Sequence, residues 1–174
     1  MSALWNHPAL AGDAARRLFG MTAGDVDAVM AVETNVYPFP WSRGNFIDSI
    51  AAGHVAELLR VGLSGPVLGY CVAMSGAGEM HLLNITVAPS CQHRGHARFM
   101  IDDLVERCRR GGDARLWLEV RESNATARAA YLRLGFLERG QRPGYYPAAH
   151  GKRESAIVMS LEVDTLQRLP DALE

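Results

Sequence analysis

The chain of 174 residues contains only three cysteines, Cys71, Cys91 and Cys108. Three cysteines cannot all pair and their spacing matches no metal-ligand pattern, so neither a disulfide scaffold nor a cysteine-bound metal is predicted. No apolar run approaches the roughly 18–20 residues that a membrane-spanning helix needs. A formal net charge of −1 at pH 7 argues against a protein that coats nucleic acid through bulk charge.

Signals for targeting and for separate modules are also missing. Residues 1–8 lack a basic segment followed by an apolar stretch, so we expect no secretion signal and a reducing, cytoplasmic location. There is no internal repeat and no low-complexity linker. What is present is a globular composition, 48% hydrophobic and 21% charged, in a length that fits one domain. We expect an extension over residues 1–15, the domain over 16–163 and a tail over 164–174.

Hydrophobic periodicity predicts a mixed α/β sheet with helices on both faces. Helices are predicted after a cap at Thr22 or Asp25, after Ser42, from about 97 to Gly111-Gly112, and from Ser123-Asn124 to Gly135. Strands are predicted over residues 17–21, 54–61, 67–74, 80–87, 114–120, 136–139 and 156–163, the last two flanking a polar loop.

The most informative stretch is residues 84–97. An apolar run ends at Pro89, and a loop with two basic residues then leads through Gly95 into a helical pattern. Peptide N–H groups at a helix N-terminus have no intrahelical partner, and the helix dipole is positive there. Gly95 lets the backbone approach an anion without a Cβ in the way. The pattern predicts a phosphate site, although many strand-to-helix turns contain a glycine and bind nothing.

Further motifs make the pattern specific. Gln92-x-x-Gly95-x-Ala97 resembles the coenzyme A loop, Gln/Arg-x-x-Gly-x-Gly/Ala, of the GNAT superfamily of N-acetyltransferases. The similarity runs roughly from residue 21 to residue 163 and is greatest to bacterial ribosomal-protein-alanine N-acetyltransferases. The other matching stretches are Phe39-Pro40-Trp41-Ser42, Asn84-Ile85-Thr86-Val87, Leu116-Trp117-Leu118-Glu119-Val120-Arg121 with Ser123-Asn124, Tyr131 with Leu134-Gly135-Phe136, and Tyr145-Tyr146-Pro147.

This resemblance implies a GNAT fold with a mostly antiparallel sheet of about seven strands, and acetyl-coenzyme A as co-substrate without a metal. It implies that the acceptor is the N-terminal alanine of the small-subunit ribosomal protein numbered eighteen. It also implies that the strand at residues 85–87 splays from its neighbour and exposes peptide groups to pantetheine and to the oxyanion. The implied cofactor contacts are Ile85, Thr86, Val87, Gln92, His93, Arg94, Gly95, His96, Ala97, Arg98, Asn124 and Tyr131.

Two of these expectations have alternatives. His93, Arg94 and Arg98 would supplement a pyrophosphate cradle, but basic residues near a loop are commonly a solvated face. Asn124 is suited to cap a helix, and the matching asparagine of the family also contacts coenzyme A; both roles can hold at once.

Glu119 is the candidate general base. A protein α-amino group has a pKa of about 7.7–8.0, so part of it must lose a proton before it can attack a thioester. Strand alternation puts Glu119 on one face with Trp117 and Arg121. The alternative is a solvated or salt-bridged carboxylate; the position beside the predicted cofactor strand and the resemblance favour the base.

Tyr131 is the candidate general acid, because a phenol with a pKa of about 10 keeps a proton for the leaving thiolate. Its spacing from Ala127 and Leu134 equally suits a core tyrosine, and the family motif favours the acid. Trp41, Tyr145 and Tyr146 are predicted to wall the peptide channel from two rim loops, although Pro143 and Gly144 depart from the family pattern.

The sequence leaves two alternatives open. The acceptor could be a lysine side chain, a polyamine or another small amine, or the protein could be a non-catalytic sensor of acyl-coenzyme A. Cys91 has no histidine placed to activate it, so a covalent thiol route is not expected. His7, His54, His81 and His150 show no metal-site spacing, and we assign no metal. A monomer is expected, with no direct nucleic-acid or membrane partner.

Overall fold

The computed structural model describes residues 16–164. Seven strands in this range form one sheet, and four α-helices pack on it. The strands are β1 Arg16–Gly20, β2 Val55–Val61, β3 Val67–Gly76, β4 Glu79–Val87, β5 Arg115–Arg121, β6 Leu137–Pro147 and β7 Arg153–Glu162. The helices are α1 Val26–Val36, α2 Arg43–Ala51, α3 His96–Gly111 and α4 Ala125–Arg133. The predicted extension at residues 1–15, and nearly all of the predicted tail, lie outside the described residues.

The sheet has the order β1-β2-β3-β4-β5-β7-β6. Every pairing among the described strands is antiparallel except that of β4 with β5. The crossover between these parallel strands is α3, as a parallel connection requires. The predicted mixed, mostly antiparallel sheet is confirmed. No helix within residues 16–164 has the length and apolar character needed to cross a bilayer.

Alternating residues of the central strands form two cores. Leu58 and Tyr70 pack with the residues of α1 and α2, whereas their chain neighbours Leu59 and Cys71 pack with those of α3. Successive strand residues point to opposite faces, so a strand that is apolar on both sides needs helices on both sides. Each fully buried side chain of this kind stabilises the fold by about 1.5–3 kcal/mol. The expectation of helices on both faces is confirmed.

Local capping sets where the helices begin. The Ser42 hydroxyl accepts from the Asn45 N–H at 3.2 Å, and Asn45 Oδ1 accepts from the Ser42 N–H at 2.8 Å, a reciprocal capping box. Asn124 Oδ1 accepts from the Ala127 N–H at 3.1 Å at the start of α4. At the first helix the sequence left Thr22 and Asp25 as alternatives. In the structure Thr22 precedes a short 3₁₀ turn, Ala23–Asp25, and α1 follows directly.

One prediction about secondary structure is wrong. The polar segment after residue 139 is not a loop but the greater part of β6, and it pairs with β7. Register shifts between Glu138 and Gly140 and between Arg142 and Tyr146 interrupt the pairing. β6 is an edge strand with little burial, so it lacks the apolar alternation that marks a strand in the sequence. Tyr146 and its neighbour Tyr145 therefore lie on a strand rather than on a rim loop.

Candidate active site

β4 and β5 separate after a short pairing. Residues 80–82 of β4 pair with residues 116–118 of β5, and beyond them the two strands continue without pairing to each other. A register shift between Val72 and Ala73 of β3 leaves Leu83 of β4 as an extra residue at this point. A bulge of this kind bends a strand and ends its regular pairing. The strand splay that the resemblance implied is therefore present in the sheet.

The gap between the strands is a cleft of about 650 Å³. Its walls come from β4, β5, the segment between α1 and α2, the start of α4, and β6. The structure brings six of the predicted site residues to this cleft: Trp41, Ile85, Glu119, Asn124, Tyr131 and Tyr146. The other predicted residues, Tyr145, Thr86, Val87 and the loop residues 92–98, are not part of its lining.

The free edge of β4 offers peptide groups to the cleft. The Ala88 N–H donates to the Leu68 carbonyl at 2.9 Å, which makes these residues a hydrogen-bonded pair of the β3–β4 ladder. Since such pairs alternate with non-hydrogen-bonded pairs, the peptide groups of Ile85 and Val87 point away from β3. They point towards the edge that β5 has left.

Two side chains already occupy the carbonyls at that edge. The Tyr37 hydroxyl lies 3.2 Å from the Ile85 carbonyl oxygen, and the Gln92 amide donates to the Val87 carbonyl at 3.3 Å. The N–H groups of the same two residues point to the same edge. The edge is therefore suited to bind an acceptor group such as a pantetheine carbonyl or a developing oxyanion.

The loop before α3 has the geometry of an anion site. Gly95 is the N-terminal cap residue, with φ of +76° and no side chain capping the helix. His93 also has positive φ, +61°. A Cβ built on Gly95 would meet no atom within 4 Å, so the space beside its α-carbon is open. The backbone N–H groups there fit a phosphate group.

The side chains around this loop differ in what they can contribute. The Arg16 guanidinium donates to the Arg94 carbonyl at 3.3 Å and lies 3.2 Å from His96 Nδ1, so β1 braces the loop. The His96 side chain is buried, which leaves only its backbone for a ligand. Arg98 is exposed and 3.5 Å from Asp102, an ordinary surface ion pair. Gln92, Arg94 and Ala97 are exposed as well.

Gly95→Ala tests the loop. A residue with a Cβ in the left-handed region costs about 1–2 kcal/mol, so the loop should shift and the affinity for acetyl-coenzyme A should fall. Gly112, at the other end of α3, has φ of +81° and equally open surroundings, so Gly112→Ala is the matched control. We expect both variants to lose similar stability in thermal unfolding, and only Gly95→Ala to lose affinity in calorimetric titration. Equal affinities would contradict this assignment.

Glu119 lies in the wall of the cleft formed by β5. Its side chain is 15% exposed, and Oε1 is 3.2 Å from Nη1 of Arg142, a half-exposed side chain of β6. The Tyr146 hydroxyl donates to the Glu119 backbone carbonyl at 3.0 Å and so ties β6 to β5 at this residue. The carboxylate is thus mostly buried, and its ion-pair partner is a half-exposed arginine rather than a buried one. Glu119 therefore does form a salt bridge, which was the alternative to the role of base. The salt bridge does not remove Glu119 from the lining of the cleft.

Tyr131 reaches the same cleft from α4. Its ring packs on Phe136 with centroids 5.6 Å apart. Burial raises the pKa of the phenol above its usual value, and the nearby Tyr37 and Tyr146 phenols raise it further. No hydrogen bond joins the Tyr131 hydroxyl to another group within residues 16–164. The phenol is therefore protonated at physiological pH and its proton is not committed elsewhere.

Among the cleft residues that sequence reasoning missed are Glu33 and Tyr37. Glu33 on α1 is only 1% exposed, and Tyr37 follows the same helix. A signal for Glu33 did exist, because it continues the i, i+3, i+4, i+7 stripe of Val26, Val29 and Met30. A carboxylate on a buried stripe needs donors, which a helical pattern alone does not reveal. Burial also raises the pKa of Tyr37.

Comparison with known proteins now decides the family. The family model described as the acetyltransferase (GNAT) family matches residues 26–136, more than half of the chain. The chain belongs to the GNAT family. This confirms the resemblance that the motifs predicted.

Individual relatives of this GNAT protein are also N-acetyltransferases by name. A protein of Escherichia coli K12 named [ribosomal protein bS18]-alanine N-acetyltransferase is 35% identical over 139 residues, which cover 80% of this chain and 92% of the relative. The crystal structure of the ribosomal-protein-S18-alanine N-acetyltransferase from Escherichia coli superposes with a TM-score of 0.79 and 32% identity, covering 89% of this chain and 98% of the other. The PaiA N-acetyltransferase of Thermoplasma acidophilum, solved with coenzyme A, shares the fold at 11% identity, with a TM-score of 0.67 and coverage of 85% and 99%.

Proposed function

We propose that this protein transfers the acetyl group of acetyl-coenzyme A to the α-amine of the N-terminal alanine of ribosomal protein S18. The main support is that a carboxylate, Glu119, and an uncommitted phenol, Tyr131, line one cleft beside the open edge of β4. The names of the Escherichia coli relatives support the acceptor. We infer a cytoplasmic location, where ribosomal proteins are made, and retain the monomer and the catalytic domain at residues 16–163 as predictions.

In this proposal acetyl-coenzyme A is a substrate held mainly by backbone. The N-terminus of α3 binds its pyrophosphate through main-chain N–H groups, with Gly95 permitting close approach. The Ile85 and Val87 N–H groups meet the carbonyl oxygens of the pantetheine arm. Because these contacts are made by rigid elements, the thioester is presented at one place along β4.

The acceptor amine attacks in a ternary complex. Glu119 takes a proton from the α-ammonium, directly or through water, so that the neutral nitrogen can form the new C–N bond. A β4 backbone N–H stabilises the tetrahedral oxyanion. As the C–S bond breaks, the thiolate takes the proton of Tyr131, and free coenzyme A leaves. The nitrogen, cationic after the attack, loses a second proton, which restores the Tyr131 phenol directly or through water. Of the two protons that the ammonium loses, one therefore passes through Glu119 to solvent and the other ends, by way of Tyr131, on the thiol of coenzyme A.

A peptide assay tests this function. We expect thiol release when the protein is incubated with acetyl-coenzyme A and a peptide that begins Ala-Arg, and mass spectrometry should place the acetyl group on the α-amine. An N-terminally blocked copy of the peptide should give no release. Acetylation of lysine side chains alone would indicate another acceptor class. Binding of acetyl-coenzyme A without turnover on any amine would indicate a sensor.

The cysteines bear on whether the acetyl group is first transferred to the protein. Burial raises the pKa of Cys108 to about 11 and raises that of Cys71 well above its usual value. Buried thiols that stay protonated are poor nucleophiles. Cys91 is partly exposed, and its sulfur lies 3.7 Å from the Ser90 hydroxyl. Cys91 does not line the cleft that holds Glu119 and Tyr131, so the direct route is favoured over a thiol intermediate.

Cys91→Ser checks the direct route. We expect unchanged turnover and no acetylated protein in intact mass spectra of the enzyme incubated with acetyl-coenzyme A alone. Iodoacetamide at pH 7.5 should modify Cys91 and spare Cys71 and Cys108 in the folded protein. An acetylated wild-type intermediate that disappears in Cys91→Ser together with activity would overturn the direct mechanism.

A further inference from the structure

Glu33 is a buried carboxylate in the wall of the cleft. It is 1% exposed, and α1 places it one turn before the helix ends. Oε1 accepts from the Trp41 backbone N–H at 2.7 Å, and Oε2 accepts from the Tyr70 hydroxyl. The Asn84 side-chain amide lies 3.4 Å from Oε2 and 3.5 Å from Oε1. Donors from three other parts of the chain therefore converge on this one side chain.

These donors come from the two sides of the cleft. Trp41 belongs to the segment between α1 and α2, whereas Asn84 lies on β4 at the point where it leaves β5. A second set of bonds continues from Asn84: Thr86 Oγ1 is 3.1 Å from Asn84 Oδ1 and 3.0 Å from the Tyr37 hydroxyl. The segment that follows α1 is thus connected to β4 at both of its ends.

The segment between the helices has few other means to hold its shape. Pro38 and Pro40 supply no N–H groups, and residues 38–42 belong to no helix or strand. Its aromatic side chains form part of the cleft wall: Trp41 packs on Phe46 with centroids 5.2 Å apart, and the Phe39 ring lies 5.6 Å from the Arg121 guanidinium. In the proposed function the edge of β4 and the α3 loop bind acetyl-coenzyme A. This wall is therefore the part of the cleft that is free to bind the acceptor peptide.

The contacts of Glu33 are those of a side chain that supports its neighbours. Within residues 16–164 no ion pair reaches its carboxylate, so neutral donors alone balance its burial. These donors reach both oxygens and hold the side chain at one place in the wall. Removing it would leave the Trp41 N–H and the Tyr70 hydroxyl without their acceptor.

We propose that Glu33 is a positioning residue for the acceptor, which holds residues 37–41 against β4 and so sets the affinity for the incoming peptide. The inference rests on the proposed function, because it assigns this wall to the acceptor of that reaction. It adds a residue that touches neither substrate directly and acts through the backbone of Trp41.

Kinetics of Glu33→Ala and Glu33→Gln test the proposal. We expect Glu33→Ala to raise KM for the acceptor peptide by about tenfold or more, because a misplaced wall weakens binding, with a much smaller change in KM for acetyl-coenzyme A. Glu33→Gln should restore most of the acceptor affinity, since its amide oxygen can still accept from the Trp41 N–H. If Glu33→Gln is as impaired in kcat as Glu33→Ala, the charge is required and the positioning role is wrong.

Glu57→Ala is the matched control. Glu57 is another buried glutamate, 7% exposed, but it lies on the α3 side of the sheet and pairs with Arg107. The Glu57→Ala protein should be less stable than the wild type, but its KM for the acceptor peptide should not rise specifically. Should Glu33→Ala fail to fold, Tyr70→Phe removes one donor to Glu33 and should raise acceptor KM in the same direction by a smaller factor.

The outcomes separate the two proposals. Calorimetric titration of the peptide in the presence of coenzyme A gives its Kd without turnover. Wild-type protein that binds the peptide without acetylating it overturns the proposed function alone, since Kd values still compare the Glu33 variants. Equal KM and Kd values for wild type and Glu33→Ala, or equal effects of Glu33→Ala and Glu57→Ala, overturn the Glu33 role alone. Wild-type protein that neither binds nor acetylates the peptide overturns both.

Discussion

Glu119→Gln is expected to lower kcat by about 10²–10⁴-fold, because an amide cannot accept the proton of the α-ammonium. The loss should be largest at low pH, where the neutral fraction of an amine with a pKa of about 7.7–8.0 is smallest and a base is most needed. Turnover measured from pH 6 to 9 with saturating peptide would show this. The fold should be retained, since the Arg142 partner is half exposed and such pairs contribute little to stability.

Glu122→Gln is the control for this variant. Glu122 follows Glu119 by three residues, is exposed, and does not line the cleft. Its replacement changes the net charge by the same amount without removing the proposed base, so turnover should stay at the wild-type level. A Glu119→Gln enzyme with the wild-type rate across the pH range would eliminate Glu119 as the base.

Tyr131→Phe is expected to lower kcat by about 10²-fold or more, because the leaving thiolate loses its proton donor. Affinity for coenzyme A should change little, since the ring and its packing on Phe136 remain. Thermal unfolding should also change little, because the hydroxyl takes part in no hydrogen bond within residues 16–164. A large fall in kcat at constant Kd and constant Tm would be the signature of a general acid.

Phe136→Leu separates chemistry from packing. Phe136 is buried against the Tyr131 ring but has no proton to give, so its replacement should lower stability more than kcat. In the double variant of Glu119 and Tyr131 the losses should not simply add, as is usual for groups that act on one transition state. If Tyr131→Phe loses only stability, the residue is a core tyrosine, the alternative that its helical spacing allowed.

Much of the fold could be predicted because the signals are local. The stripe of Met100, Ile101, Leu104 and Cys108 marks α3 in any context, and all four are buried against the sheet. Ser42 and Asn124 cap helices through bonds that reach only three residues along the chain. The loop that ends in Gly95 was equally readable, since both the cap and the glycine conformation belong to adjacent residues.

The errors and omissions share a different cause. The second half of β6 is a strand because it pairs with β7. Its own sequence is polar and has no apolar alternation from which a strand could be predicted. Glu33 is buried only because Tyr70, Asn84 and Trp41, which are distant from one another in sequence, supply donors at one place. A sequence pattern gives the residue types, but it does not give the distant hydrogen-bond partners that allow a polar side chain to be buried.

The sequence by itself determined the order of helices and strands, the helix caps, the glycine turn at Gly95 and the residue types suited to acetyl transfer. Only the tertiary structure decided that β4 and β5 part after residues 82 and 118, with Leu83 bulged at that point. That parting opens the cleft that both Glu119 and Tyr131 line. The physical reason is that hydrogen-bond register between strands is a relation between distant segments, whereas caps and periodicity are properties of neighbours.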